Sequence, residues 1–235
     1  MRTMRLETSM ARLIAGVTLM VCMVAMARAD DAPAGRMVEV ATVWGTSFEG
    51  YLAGPADARL GVVLVHDRWG LNPQVRQWAD RVAALGHRVL AVDLFDGRVA
   101  RRPEDGLALW RGIDPVWTVA NVDAALAFLR ERQTHVVALG WGKGIGPLGD
   151  LARRSPASLS GMVLYYDADT TDEAGRLPPS PSMPVLDITV GRSLVHPAQD
   201  AGVLQGGADE AWQATRRFLA RFGDSVASSS LSFAH

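Results

Sequence analysis

Cysteine is all but missing from this 235-residue chain: Cys22 is the only one. It lies in an N-terminal apolar run that is expected to be removed. The mature chain then has no thiol and no disulfide, which excludes a cysteine nucleophile, a thiolate metal site and a disulfide-stapled fold. Lysine is as scarce: Lys143 stands alone among 24 basic residues, the rest being Arg, a bias that reads as the composition of a GC-rich genome. No run of like charge occurs, and 24 bases face 25 acids, so the footprint of a nucleic-acid binder is missing. No His and carboxylate residues stand at metal-ligand spacing. The glycine-rich run from Gly140 to Gly149 lacks the Lys-Ser/Thr pair of a phosphate-binding loop. No metal or other cofactor is therefore implied. Nor is there an internal repeat or a linker to divide the chain.

What is present begins with an export pattern. Arg2, Arg5 and Arg12 precede an uncharged apolar run from Leu13 to Ala25, and Ala27-Arg28-Ala29 fits a small-x-small cleavage site. Residues 1–29 read as a signal peptide with Asp30 as the mature start, or as an uncleaved anchor if cleavage fails; translation from Met4 or Met10 would leave a more ordinary leader. The run is short for a membrane span, and Val21 is not the small residue that lipidation of Cys22 would need. The expectation is a periplasmic or secreted protein with no stable membrane anchor after cleavage. The mature chain carries 20 bases against 24 acids, as suits a soluble protein.

From there the hydropathy pattern alternates between short buried strands and amphipathic helices. Met37 to Trp44 and Ser47 to Ala53 read as a hairpin around Gly45. Gly61–His66, His87–Leu94, Val136–Trp141, Met162–Tyr166 and Val185–Val190 are apolar runs typical of strands buried on both faces. Helical spacing marks Gln74–Leu85, with Val75, Trp78, Val82 and Leu85 on one side, and also Pro103–Arg111, Pro115–Arg130, the stretch to Arg154, and Ala208–Phe222. Such alternation predicts one doubly wound α/β domain over 36–223, mainly parallel, with helices on both faces and the site at the C-terminal ends of the strands. Residues 224–235 are Ser-rich and read as a flexible tail.

Several segments carry a family resemblance. His66-Asp67-Arg68-Trp69-Gly70-Leu71-Asn72 is similar to the dienelactone hydrolase pattern H/Q-E-x-W/F-G-L/V-N. Asp93-Leu94-Phe95-Asp96-Gly97-Arg98, continuing to Pro103-Glu104, resembles that family's D-L-Y-x-G-R followed by P-E. Tyr165-Tyr166 and the helix from Ala211-Trp212 to Phe218-Leu219 match it more weakly but in the right order. The resemblance implies the α/β-hydrolase fold and hydrolysis of a carboxylic ester or lactone through an acyl-enzyme, with a small-molecule substrate. Gly140-Trp141-Gly142-Lys143-Gly144 then resembles the nucleophile elbow, G-x-C-x-G or G-x-S-x-G, a sharp strand-to-helix turn that lifts a nucleophile above the sheet. Its middle residue here is Gly142, which has no side chain.

The other two triad positions also depart from the family pattern. Leu194 stands where the family's acid is expected, with Asp200 as the next carboxylate. No histidine lies just before the last helix; His196 comes too early and His235 too late. The resemblance places oxyanion-hole amides at Arg68 and Lys143, near a helix N-terminus that favours anions. Asp67 matches the family's glutamate beside the nucleophile and reads as a pocket acid, or else as a loop carboxylate paired with Arg68 or Arg98. Arg98 reads as a substrate-carboxylate partner or a solvated loop residue. Trp69 and Trp141 read as pocket lining or core packing. Lys143 reads as solvent-facing, or as an amine nucleophile of lowered basicity. His66 reads as a packed strand-end residue, or as a base acting with Asp67.

Three functional classes follow: a family member with weak or no family-type activity, a non-catalytic binder of a small ligand in the old pocket, and a hydrolase with chemistry rebuilt on Lys143 or on His66 and Asp67.

Overall fold

The computed structural model describes residues 35–167, 183–190 and 207–223. The expected leader and tail, and the segments carrying Leu194, His196 and Asp200, lie outside these residues. Strands β1 (Arg36–Ala41) and β2 (Ser47–Ala53) form the expected hairpin, with Arg36 opposite Leu52 and Ala41 opposite Ser47. Sequence alternation carried the first strand on to Trp44, but it stops three residues earlier. Thr42 closes the turn instead: its amide donates to the Thr46 carbonyl at 2.7 Å, and the two threonine hydroxyls bond at 2.7 Å. Val43 and Trp44 are left on the tip, 89% and 58% exposed, because local turn hydrogen bonds outrank the alternating pattern there.

Five parallel strands follow: β3 (Leu60–Val65), β4 (Arg88–Val92), β5 (His135–Trp141), β6 (Gly161–Asp167) and β7 (Val185–Val190). The sheet runs β1-β2-β4-β3-β5-β6-β7, and only the hairpin is antiparallel to its neighbours. This is the expected mainly parallel sheet. All six residues of β3 are buried, as a central strand covered on both sides requires.

Helices α1 (Pro73–Ala83), α2 (Pro103–Gly112), α3 (Pro115–Arg130), α4 (Ile145–Arg154) and α5 (Gly207–Gly223) cover the sheet. Proline opens α1, α2 and α3, where its missing N–H has no helical partner to lose. Asn72 and Asp114 cap α1 and α3, accepting from Val75 N–H at 3.1 Å and Val116 N–H at 2.8 Å. The side-chain period of two divides each strand between two cores. Val62 and Leu64 face α1 and α5, while Val63 and Val65 face α3 and α4. Each such Val or Leu contributes about 1.5–3 kcal/mol by leaving water. Among the described residues no helix is long and apolar enough to cross a membrane.

The register sets the site. β3 and β5 are adjacent and parallel, with Val65 opposite Gly140. Asp67 and Gly142 each lie two residues beyond that pair, so the chain leaves the sheet at neighbouring points. The turn after β5 is tight because its glycines admit close approach. A Cβ on Gly144 would run into the carbonyl oxygen of His66 and stand 2.8 Å from that of Val65. Both are backbone at the end of β3 and cannot move aside. Gly144→Ala is therefore expected to cost about 1–3 kcal/mol by overpacking. Urea denaturation of the two proteins measures this, and an unchanged midpoint would contradict the packing described.

Candidate active site at the crest of the fifth strand

The elbow has the expected backbone. Trp141 is extended (φ −120°, ψ 140°), Gly142 turns to φ +47°, and a single 3-10 turn over Gly142–Gly144 leads into α4. That positive φ is one a residue with a side chain adopts only under strain, whereas glycine adopts it freely.

The space above Gly142 is filled from the neighbouring strand. The three atoms nearest a Cβ built there all belong to Asp67, at 2.7 Å for Oδ1, 2.8 Å for Cγ and 3.0 Å for Oδ2. Asp67 Oδ1 accepts the Lys143 N–H at 2.8 Å. The amide expected as an oxyanion donor is thus already engaged by a carboxylate of the same chain. The expected alternative, an ion pair of Asp67 with Arg68 or Arg98, is not what forms, because the carboxylate turns towards the elbow. Asp67 is 2% exposed, and its Oδ2 is buried with no hydrogen-bond partner. A buried acceptor left in that condition is destabilising.

The backbone under Asp67 is held in place. Its carbonyl accepts from His66 Nδ1 at 2.7 Å and from Gly70 N–H at 3.0 Å. His66 is wholly buried, and its Nε2 accepts the Leu94 N–H at 3.1 Å. An Nε2 that accepts leaves the proton on Nδ1, which donates to Asp67 O. Both ring nitrogens are consumed, so the reading of His66 as a base acting with Asp67 is corrected: it is a neutral strut between two strand ends. Burial lowers its pKa below the usual 6.5, opposed first by the bond to Asp67 O and then by the charges of Asp93 and Asp67.

The other residues singled out from the sequence disperse. Trp141 is 2% exposed and packs in the core under α1 and α5, stacked on Tyr165 with ring centroids 5.5 Å apart and edge-on to Trp78 at 5.7 Å. That corrects its reading as pocket lining. Its strand-end position sends the ring down into the sheet's face rather than up from the crest. Trp69 is also fully buried, with Arg68 placed 5.2 Å from its ring centre. The Arg68 carbonyl packs against Gly106 of α2. Arg98 is exposed and bonds back to its own loop, Nε to Phe95 O at 2.9 Å. It borders an open surface depression with Val99, Arg101 and Asp105, whose lining includes neither Asp67 nor Gly142. The Lys143 side chain is exposed. Among the described residues no three His, Cys, Asp or Glu side chains converge as metal ligands would.

The two sequence segments that carried the resemblance interlock as structure. Asp93 accepts the Phe95 N–H at 2.9 Å and the Gly97 N–H at 2.7 Å, closing the loop in which Asp96 sits at φ +52°. Gly70 (φ +83°) passes so near that loop that a Cβ would stand 2.6 Å from Arg98 O, and Ala100 N–H donates to Trp69 O at 3.2 Å. Sequence reasoning missed this bracing role of Asp93 and the helix cap at Asn72. It also missed the carboxylate over Gly142, although an acid two residues past the strand that neighbours a bare elbow was a usable signal.

The state of His66 fixes a pH dependence. A folded pKa below the unfolded 6.5 means the unfolded chain binds the extra proton, so this contribution to stability is complete above pH 6.5 and is lost as pH falls through the folded value. Unfolding free energy is expected to decline from pH 7 to 5. In His66→Gln the slope across that interval should be shallower. Equal slopes in denaturant titrations at pH 7, 6 and 5 would show that His66 is not buried as the neutral form.

Residues 48–221 match the sequence profile of the dienelactone hydrolase family, most of the chain. A segment of 74 residues is 34% identical to "Protein usf" of Aquifex pyrophilus, covering 30% of this chain and 32% of that protein, so the matched part spans about a third of that relative. Among solved structures, a candidate dienelactone hydrolase from Klebsiella pneumoniae subsp. pneumoniae MGH 78578 superposes with a TM-score of 0.60 at 16% identity, over 80% of this chain and 100% of that one. Dienelactone hydrolase from Anabaena variabilis ATCC 29413 gives 0.58 at 16% identity, over 81% and 99%. These structures share the α/β-hydrolase fold with the chain. With the profile spanning both motif loops, the elbow and the last helix, the chain belongs to the dienelactone hydrolase family.

Proposed function

We propose that this chain is an exported member of the family that keeps the scaffold of a carboxylic ester or lactone hydrolase without its acyl-enzyme turnover. One observation carries the reading: the Asp67 carboxylate fills the place of the nucleophile's side chain and holds the Lys143 amide at 2.8 Å. Attack on an acyl carbon needs a side-chain nucleophile at the crest and a free pair of amides for the oxyanion. Gly142 supplies no nucleophile. The Lys143 amide faces a carboxylate, which would repel an oxyanion arriving at the same place. The sequence adds Leu194 where the family's acid is expected and no histidine just before α5.

With p-nitrophenyl acetate and dihydrocoumarin, the full chain is expected to give no stoichiometric acyl burst. Gly142→Cys is expected to restore none, because the new Cβ would crowd Asp67 and no proton-handling pair stands beside it; its melting temperature should fall. A burst in the parent chain, or substantial turnover in Gly142→Cys, would refute this account. Export is checked by N-terminal sequencing of the secreted or periplasmic fraction, with Asp30 as the expected first residue.

A further inference from the structure

The open depression beside Arg98 lies apart from the elbow, and its walls have a chemistry of their own. One wall is the loop after β4, with Arg98, Val99 and Arg101. The other is α2, with Asp105, Ala108, Leu109 and Gly112. Those four positions follow the i, i+3, i+4, i+7 spacing of a single helix face. Small residues on that face make the hollow: Ala108 offers only a methyl group, and nothing lies within 4 Å of a Cβ built on Gly112. The volume is about 560 Å³, inside the range of about 300–1,000 Å³ that small-molecule sites occupy.

Both walls are fixed in place. Asp93 closes the loop through the Phe95 and Gly97 amides, and Ala100 N–H ties it to Trp69 O. Gly106, the buried residue of α2, rests on the Arg68 carbonyl, which a Cβ there would approach to 2.8 Å. The cations of the site are left without an anion. Asp105 is the carboxylate of the lining, and Arg102 takes both its oxygens, Nε to Oδ2 at 2.9 Å and Nη2 to Oδ1 at 2.7 Å. Arg98 spends its Nε on Phe95 O and keeps its two Nη groups free. Arg101 makes no hydrogen bond or ion pair among the described residues. Between these cations and the helix, Val99 is 43% exposed.

We propose that this depression binds a free medium-chain carboxylate, with its head on Arg98 and Arg101 and its tail along Val99, Ala108 and Leu109. A guanidinium fork pairs with both oxygens of a carboxylate. The tail gains affinity with each methylene it takes out of water against the exposed apolar wall. A cationic head would be repelled, and a head without a tail would leave Val99 in water. Neither Asp67 nor Gly142 lines the depression, so binding there needs no reacting atom and does not depend on the chemistry of the crest.

Calorimetric titration of the full chain with octanoate is expected to show one site whose affinity falls as salt rises. Acetate, which lacks the tail, and octyltrimethylammonium, which has the opposite charge, should not bind. Arg101→Gln should weaken octanoate binding about tenfold or more. Ala108→Leu, which keeps every charge but fills the hollow, should weaken it as clearly. Arg111→Gln removes the same charge from an exposed position of α2 outside the lining and should leave affinity within about twofold. In amide NMR spectra of the parent chain, octanoate should shift Val99, Ala108 and Leu109 first, a readout that needs no variant to fold. No binding, shifts confined to another region, equal binding of octyltrimethylammonium, or undiminished binding in a folded Arg101→Gln or Ala108→Leu would each overturn the proposal. So would capture by phosphatidylglycerol vesicles without any response to monomeric octanoate, which would make this face a membrane contact.

Discussion

The hydrogen bond from the Lys143 amide to Asp67 joins the ends of two adjacent parallel strands that are 76 residues apart in sequence. Everything at the crest depends on it. It fixes where the carboxylate lies, commits the amide at the entrance to α4, and leaves the second oxygen without a partner. The pairing of Val65 with Gly140 brings the two strand ends within reach. The short side chain of Asp67 then just spans the gap that a bare Gly142 leaves, and any side chain at 142 would compete for the same space. A side chain on the elbow and the carboxylate above it are mutually exclusive occupants of one position.

Beneath this contact lies a dense scaffold. Gly140 leaves room on β5 for Leu148 of α4, and Gly144 lets the turn into α4 approach the end of β3 with no side chain between them. On the opposite face, Trp78 is the hub of Trp141, Tyr165 and Trp212, and Arg81 closes the cluster from outside at 4.1 Å from the Trp212 ring. Burial raises the Tyr165 pKa, so its hydroxyl stays protonated and bonds Thr215 of α5. Rigid packing on both sides of the sheet means that the crest inherits its geometry from the core, with little freedom of its own.

Strand and helix order, the hairpin, the helix starts at Pro73, Pro103 and Pro115, and the elbow were all legible in the sequence. Each rests on local periodicity or on a residue with a fixed backbone preference. What was not legible depends on where two distant segments meet. Trp141 follows a buried strand and precedes the elbow, and only the pleat decides that its ring enters the core. Asp67 has Arg68 beside it in sequence and Arg98 in the other motif loop, and charge alone suggested a pair. Parallel register instead placed it against an amide that no linear pattern marks. Trp44 looked like strand because it is apolar and alternates, yet Thr42 and Thr46 had already closed the turn.

The loop contacts of Asp93, Gly70 and Trp69 bear on how this fold ages. These residues brace one strand end against another, so a chain that stopped handling substrate would still need them to fold. Side chains whose sole work was chemistry are released first, while the braces stay under the demand of assembly. Likeness in the two motif loops therefore reports a preserved frame. Whether a reacting atom survives must be read at the crest itself, one residue at a time.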